Sequence, residues 1–204
     1  MNNIAILGSG SHTRSSINLL KQYFNDVIFE IFDDSFNSKK NESINSINIV
    51  GNISNLKTKE NIFLSVGDNK KREEYFNKFN SVILKDNLIH KTAFQENNIN
   101  IGISNQIFAN VYLNSYVEIG NNNIINTSSI LEHEVKIGSH NHISIGAKIC
   151  GRVKIGNRCF IGAGAIILDK LSIYNDVIIG AGAVVIQNIT EPGTYVGNPA
   201  RKIK

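Results

Sequence analysis

From position 101 the chain repeats with a period of six. Ile101, Ile107, Leu113, Ile119, Ile125, Leu131, Ile137, Ile143, Ile149, Ile155, Ile161, Ile167, Ile173, Ile179 and Val185 each open a hexapeptide whose remaining positions are largely polar or small. This period excludes an amphipathic helix, whose apolar stripe recurs at about 3.6 residues, and it is too long for the alternation of a flat strand. Each hexapeptide therefore predicts one short strand and a turn, the unit of a parallel β-helix. Glycine follows the aliphatic residue at Gly102, Gly120, Gly138 and Gly156, and again at Gly162 and Gly180, both sets spaced by eighteen. Three hexapeptides thus close one triangular coil, with residues eighteen apart stacked about 4.8 Å from each other, the spacing of neighbouring strands. Five coils fit between residues 101 and 185. No coil can bury its apolar face alone, so stacking supplies the stability. The glycine or asparagine after each ladder residue is expected to provide the backbone conformations that corners require.

Residues 1–85 follow another pattern. Residues 4–7 predict an apolar strand, Gly8-Ser9-Gly10-Ser11 a turn, and residues 13–24 a helix. Residues 27–32 predict a second strand ending at Asp33-Asp34, and residues 61–66 a third, closed by Gly67. Residues 69–79 predict a polar helix and residues 81–84 a candidate fourth strand. Such alternation implies a small parallel sheet with helices on its faces. Residues 85–100 read as the crossing into the solenoid, so the chain divides into a domain of residues 1–85 and one of residues 86–204 ending in a short tail.

In a sheet of this kind ligands bind beyond the carboxyl ends of the strands. Gly8-Ser9-Gly10 lets the backbone approach a phosphate and opens a helix whose free amides favour anions. Asp33 or Asp34 could accept hydrogen bonds from a sugar or base, and Gly67 leaves room for a flat ring or a phosphate. The run Gly-Ser-Gly-Ser-His-Thr lacks the third glycine of the dinucleotide fingerprint, which argues against a full NAD site and leaves a purely structural turn as the alternative. His12 is either a solvent-exposed helix-start residue or a ligand contact.

At 204 residues, 42% of them hydrophobic, the chain can build two cores, and no apolar run approaches a membrane span. Its start runs directly into a strand without the regions of a signal peptide, which makes the cytoplasm the expected location. The net charge of +4, from 21 basic and 17 acidic residues, is scattered apart from Arg201, Lys202 and Lys204. Nucleic-acid binding would call for a dense basic stripe with aromatic platforms. Cys150 and Cys159 lie nine apart without a CxxC pattern and read as free thiols, with no metal or redox role expected.

Three histidines interrupt the hexapeptides: His133, His140 and His142. His133 lies between Glu132 and Glu134, away from the inward-facing position of its repeat. It is either part of a solvated charge cluster or a base whose neighbouring carboxylate holds one ring nitrogen protonated and frees the other. Adding eighteen gives Gly151, whose unobstructed amide is an oxyanion-donor candidate. His140 and His142 could also suggest zinc shared between subunits. Half a coil separates His133 from His142, so within one chain they point in different directions.

At this point the residues match a family. The run from Ile125 through Glu132-His133-Glu134, the segment His142-Ile143-Ser144-Ile145-Gly146-Ala147 and Gly197-Asn198-Pro199-Ala200-Arg201 closely resemble the bacterial nucleotide-sugar and sialic-acid acetyltransferases of the PglD/NeuD type. Gly8 to His12, Asp33-Asp34 and Gly67-Asp68-Asn69-Lys70 resemble the small N-terminal domain of that family, and residues 88–91 its linker. The resemblance implies a Rossmann-like α/β domain that binds a nucleotide sugar, followed by an all-β, left-handed parallel β-helix that binds acetyl-CoA. It further implies a homotrimer with its active site between neighbouring protomers, no metal, and a place in polysaccharide biosynthesis. By the same comparison His133 falls on the general base and Glu134 on its carboxylate. His142, Ala163 and Ala181 fall on acetyl-CoA contacts, and Gly10, Ser11, His12, Asp33, Asp34 and Gly67 on nucleotide-sugar contacts, with Asn126 near the acceptor. The family often continues its glycine turn as Gly-His-Gly-Lys, where this chain has Gly10-Ser11-His12-Thr13-Arg14. That departure leaves the nucleotide open.

The expected reaction is acetyl transfer from acetyl-CoA to the 4-amino group of a nucleotide-linked amino-dideoxy sugar, UDP-linked, in a ternary complex. The alternatives are O-acetylation of a sialic acid, a zinc-dependent lyase or hydratase, and a non-catalytic scaffold.

Overall fold

The computed structural model describes residues 3–38, 42–56 and 61–204. The chain forms two compact units, Met1–Lys85 and Asp86–Lys204.

In the first unit, strand β1 (Asn3–Leu7) leads through Gly8–Gly10 into helix α1 (Ser11–Tyr23), followed by β2 (Ile28–Phe32). A hairpin of β3 (Ser43–Ile44) and β4 (Ile47–Gly51) precedes β5 (Asn61–Leu64) and helix α2 (Asn69–Lys78). The hairpin was not expected from the pattern. Its signal is Asn45-Ser46 between two isoleucines: both residues take positive φ, 49° and 66°, as the two-residue turn of a tight hairpin requires. The sheet order is β3-β4-β2-β1-β5, parallel except for the hairpin. The candidate strand at residues 81–84 reduces to a single parallel bridge between Ile83 and Ile62. Because β2 and β5 flank β1 on opposite sides, the strand order reverses at β1, and a crevice opens beyond its carboxyl end.

The second unit is the parallel β-helix expected from the six-residue period. Short strands, nearly all of two residues, stack into three sheets, of eight, six and five strands. The rungs from Leu88–Ile89 to Val184–Val185 pair residues eighteen apart, as in Ile107 with Ile125 and Ile125 with Ile143, and in the last coil the step shortens to sixteen, as in Val177 with Gly193. The ladder is buried from Ile107 to Val185, with exposures of 0–4%, so each such aliphatic side chain contributes roughly 1.5–3 kcal/mol. Only Ile101, near the first coils, is half-buried. Residues 85–100 are not a linker crossing into the solenoid: Leu88–Ile89 already pairs with Gln106–Ile107, and Phe94–Gln95 with Tyr112–Leu113. The six-residue aliphatic rhythm is broken there, which hid the first coil.

The corners also work differently from the expectation. The residues in left-handed conformation lie three places after the ladder position, from Ser104 through Glu134 and His140 to Gly182, with φ of 55–66°. The glycines directly after the ladder meet another constraint. A Cβ on Gly120 would lie 2.7 Å from the Gly138 carbonyl oxygen, and one on Gly138 would lie 2.7 Å from that of Gly156. Those glycines are required because successive coils approach there more closely than any side chain allows.

Candidate functional sites on the two units

In the first unit, Gly8, Gly10, Ser11, His12, Asp33, Ser65, Val66 and Gly67 line a cavity of about 190 Å³ in the crevice beyond β1, together with Ile53, Lys71 and Tyr75. Gly8 has φ +108°, and a Cβ there would stand 2.7 Å from the Ser65 carbonyl oxygen, so the turn is possible only with glycine. The Thr13 hydroxyl donates to the Gly8 carbonyl at 2.9 Å and fixes the turn to the first turn of α1. A larger hollow of about 600 Å³ lies beside Ile28 at the start of β2. The smaller one is the candidate site, since helix amides and three strand-end loops converge there.

Asp33 and Asp34 behave differently from each other. The Asp33 carboxylate accepts from the Ser9 amide at 2.7 Å through one oxygen and from the Ser35 amide at 2.8 Å and hydroxyl at 2.5 Å through the other. Burial pushes this carboxyl up, but the bonds from Ser35 and Ser9 outweigh it and hold the group below its usual range. Asp33 thus ties the glycine turn to the end of β2. Asp34 does not line the cavity; its carboxylate accepts from the Tyr75 hydroxyl at 2.8 Å and pairs with Lys71 at 3.3 Å. Sequence reasoning missed Lys71 and Tyr75, since nothing in a polar helix announces which turn faces a loop 37 residues upstream.

It also missed Arg72, which is fully buried. The guanidinium donates to the carbonyls of Val66 and Gly67 at 3.1 and 3.2 Å and to the Asn69 side chain at 2.8 Å. Burial pulls it down to about 9, with the nearby Asp68 carboxylate opposing, so it stays charged at neutral pH. It braces the Gly67 loop from beneath.

In the second unit, His133 and Glu134 occupy the corner that follows Ile130–Leu131 and precedes Lys136–Ile137. Neighbours on a strand point to opposite faces, but Glu134 is left-handed, with φ 61°, and its carboxylate reaches back to His133 Nδ1 at 3.1 Å. A carboxylate only accepts, so Nδ1 carries the proton and Nε2 is left as a proton acceptor. The imidazole is 42% exposed. One coil on, a Cβ at Gly151 would lie 2.6 Å from both Cε1 and Nε2 of the ring. Glycine at that position is what lets the ring lie against the next coil. Glu132, on the other side, accepts from the Asn114 amide at 2.7 Å and does not share the imidazole.

His142 lies on a different sheet, in the strand His142–Ile143. The ring is 9% exposed, packs edge-on against Phe160 with centroids 5.1 Å apart, and accepts at Nε2 from the Asn126 amide at 3.2 Å. Ala163 and Ala181 are exposed at the corner following that sheet, stacked through the bond from the Gly182 amide to the Ala163 carbonyl at 2.8 Å. Asn126, His142, Ala163 and Ala181 therefore gather on one edge and its face, while His133, Glu134 and Gly151 lie on the next edge. His140 is buried in yet another corner beside Asn122. Among the described residues no three histidines, cysteines or carboxylates are placed to hold a metal, and no helix is long and apolar enough to cross a membrane.

An α/β domain with an anion-receptive crevice, joined to a hexapeptide β-helix bearing an imidazole–carboxylate pair at a corner, defines the class of hexapeptide-repeat acyltransferases. Comparisons with known proteins give the family. The PglD N-terminal domain model matches residues 3–79 and the bacterial transferase hexapeptide model residues 134–169. No curated protein sequence matches the chain. Among solved structures, a point mutant of perosamine N-acetyltransferase from Caulobacter crescentus, in complex with CoA and GDP-perosamine, is 25% identical with a TM-score of 0.90, covering 100% of this chain and 98% of its own. The acetyltransferase domain of PglB from Neisseria gonorrhoeae, in complex with acetyl coenzyme A, is 25% identical with a TM-score of 0.86 and complete coverage of both chains. WeeI from Acinetobacter baumannii shares the fold at 23% identity and a TM-score of 0.87, again over both entire chains. By these matches the chain is an acyltransferase that resembles the PglD/NeuD-type acetyltransferases in both of its units.

Proposed function

We propose that this protein transfers acetyl from acetyl-CoA to the 4-amino group of a nucleotide-linked amino-dideoxy sugar in a ternary complex. The carrying observation is the His133–Glu134 pair lying against Gly151, with Nε2 free to accept a proton. The amine attacks the thioester, His133 removes the proton from the nitrogen that the new bond has made cationic, and Glu134 stabilises the imidazolium that results. The Gly151 amide donates to the developing oxyanion. His142, Ala163 and Ala181 contact acetyl-CoA, and Asn126 holds the His142 ring from the acceptor side. The crevice of the first unit takes the nucleotide sugar: Gly10, Ser11 and His12 at the phosphates, Gly67 at the base, and Asp33 and Asp34 shaping the loops around them.

The placement of the two histidine groups on successive edges supports a homotrimer, in which the base of one protomer meets the acetyl-CoA edge of the next. Support for the substrate class comes from the relatives: one was solved with CoA and GDP-perosamine and another with acetyl coenzyme A. The protein works in the cytoplasm, where acetyl-CoA and nucleotide sugars are made.

Incubation with acetyl-CoA and UDP-, dTDP- and GDP-linked 4-amino sugars, following free thiol release, tests donor and acceptor together. Acetylation of the UDP-linked sugar is the expected result. Turnover of the GDP-linked sugar alone would move the nucleotide assignment, and turnover of a sialic acid hydroxyl in place of any amine would overturn the reading.

Direct transfer requires that neither cysteine carry the acetyl group. Burial pushes the Cys159 thiol up to about 11, and burial with the Asp169 and Glu132 carboxylates pushes Cys150 up as well. Neither is a thiolate at neutral pH. Cys150→Ala is expected to retain turnover within about twofold. Intact-mass spectrometry with acetyl-CoA should show no covalent acetyl on the wild type, and a trapped acetyl-Cys150 would contradict this.

A further inference from the structure

The corner that carries His133 and Gly151 continues, eighteen residues on, to Asp169. The side chain that Gly151 lacks would lie 2.6 Å from His133 Nε2 and 2.9 Å from Asp169 Oδ1. Taken end to end, these distances place the two atoms within about 5.5 Å of each other. They converge on the same side of Gly151, one from the coil before and one from the coil after. Asp169 is half-exposed and is held by Arg152, whose Nη2 lies 3.4 and 3.3 Å from its two oxygens, with Lys170 Nζ at 3.7 Å.

We propose that Asp169 is a specificity-determining residue that favours an amine over a hydroxyl as the acetyl acceptor. This rests on the acyl-transfer reading of His133. A nucleophile must come within about 3 Å of Nε2 to surrender its proton, and a group doing so on the side open to Asp169 also comes within reach of the carboxylate. When an amine nitrogen forms its bond to the thioester carbon, the nitrogen becomes cationic and keeps its proton until Nε2 takes it. The carbonyl electrons move to oxygen and return as the carbon–sulfur bond breaks, and the proton passes from the imidazolium to the departing CoA sulfur, giving amide and free thiol. Asp169 lies where that transient ammonium forms, and an ionised acceptor strengthens a hydrogen bond to a cation. A hydroxyl nucleophile carries no lasting positive charge, because its proton leaves as its bond forms, so the carboxylate gives it no comparable stabilisation.

The test uses the full-length protein, acetyl-CoA and a nucleotide-linked 4-amino sugar that the wild type acetylates. As a probe of binding alone it uses the same nucleotide sugar with hydroxyl in place of the amine. Asp169→Asn, of equal size, is expected to lower kcat/KM for the amine about tenfold or more, while the Kd of the hydroxyl analogue and the KM for acetyl-CoA stay within about twofold. Asp169→Glu should recover part of the loss, and the melting temperature of each variant should match that of the wild type. Equal kcat/KM for wild type and Asp169→Asn would overturn the proposal while leaving the acyl-transfer reading intact. So would an equal fall in amine turnover and hydroxyl-analogue affinity, which marks a structural role. A wild type that acetylates hydroxyls and no amine would remove both.

Discussion

Replacing His133 with alanine is expected to lower turnover by about a hundred- to ten-thousand-fold, the range supplied by a positioned general base. The fold should be untouched. The ring is 42% exposed and its one polar partner among the described residues is the neighbouring Glu134, and truncation of such a surface group normally changes stability by no more than about 0.5 kcal/mol. The affinity for acetyl-CoA, measured calorimetrically, should also hold, since His142, Ala163 and Ala181 lie on another edge. Steady-state thiol release is the decisive measurement, alongside size-exclusion elution to show that the elution volume matches that of the wild type. Turnover within about threefold of wild type would remove His133 from the role of base. Glu134→Gln keeps the side-chain length but can donate as well as accept, so the ring is no longer held in one tautomer; a smaller loss than that of the alanine variant is expected there.

Gly120→Ala is expected to be among the most destabilising single-methyl changes in the second unit. Its Cβ would stand 2.7 Å from the Gly138 carbonyl oxygen, 2.8 Å from the carbonyl carbon and 2.7 Å from Ser139 Oγ. The serine can rotate away, but the backbone cannot, because the amides of Gly120 and Gly138 are each bonded to the next coil at 2.8 and 2.9 Å. The coils must separate locally, at a cost of about 1–3 kcal/mol or more. Gly146→Ala is the control. It takes φ +66° with nothing within 4 Å of its Cβ site, so only the left-handed backbone penalty of about 1–2 kcal/mol applies. Urea unfolding should rank the first variant below the second. The opposite order would mean that backbone conformation, and not close approach, is why glycine follows the ladder.

The sequence alone determined the solenoid, because an inward position every sixth residue and a glycine every eighteenth leave no other way to bury so many isoleucines. It also determined the strand–turn–helix entry at Gly8–Gly10, where the residue types permit few other conformations. It did not reveal the first coil at Leu88, whose rhythm is irregular, or the hairpin around Asn45-Ser46, which two short strands conceal. The eighteen-residue step carried His133 forward to Gly151, and one more step reaches Asp169. That link was legible as arithmetic, but its meaning depended on side-chain directions that no repeat encodes. Tertiary structure alone decided that Asp33 serves its own loop through Ser9 and Ser35 and that Asp34 turns to Tyr75. It likewise set a fully buried Arg72 beneath Gly67. Periodicity specifies which backbone segments stack, since it acts through burial at every repeat. The few polar contacts that shape a site arise from single side chains brought together across distant segments, and only the folded chain shows which of them meet.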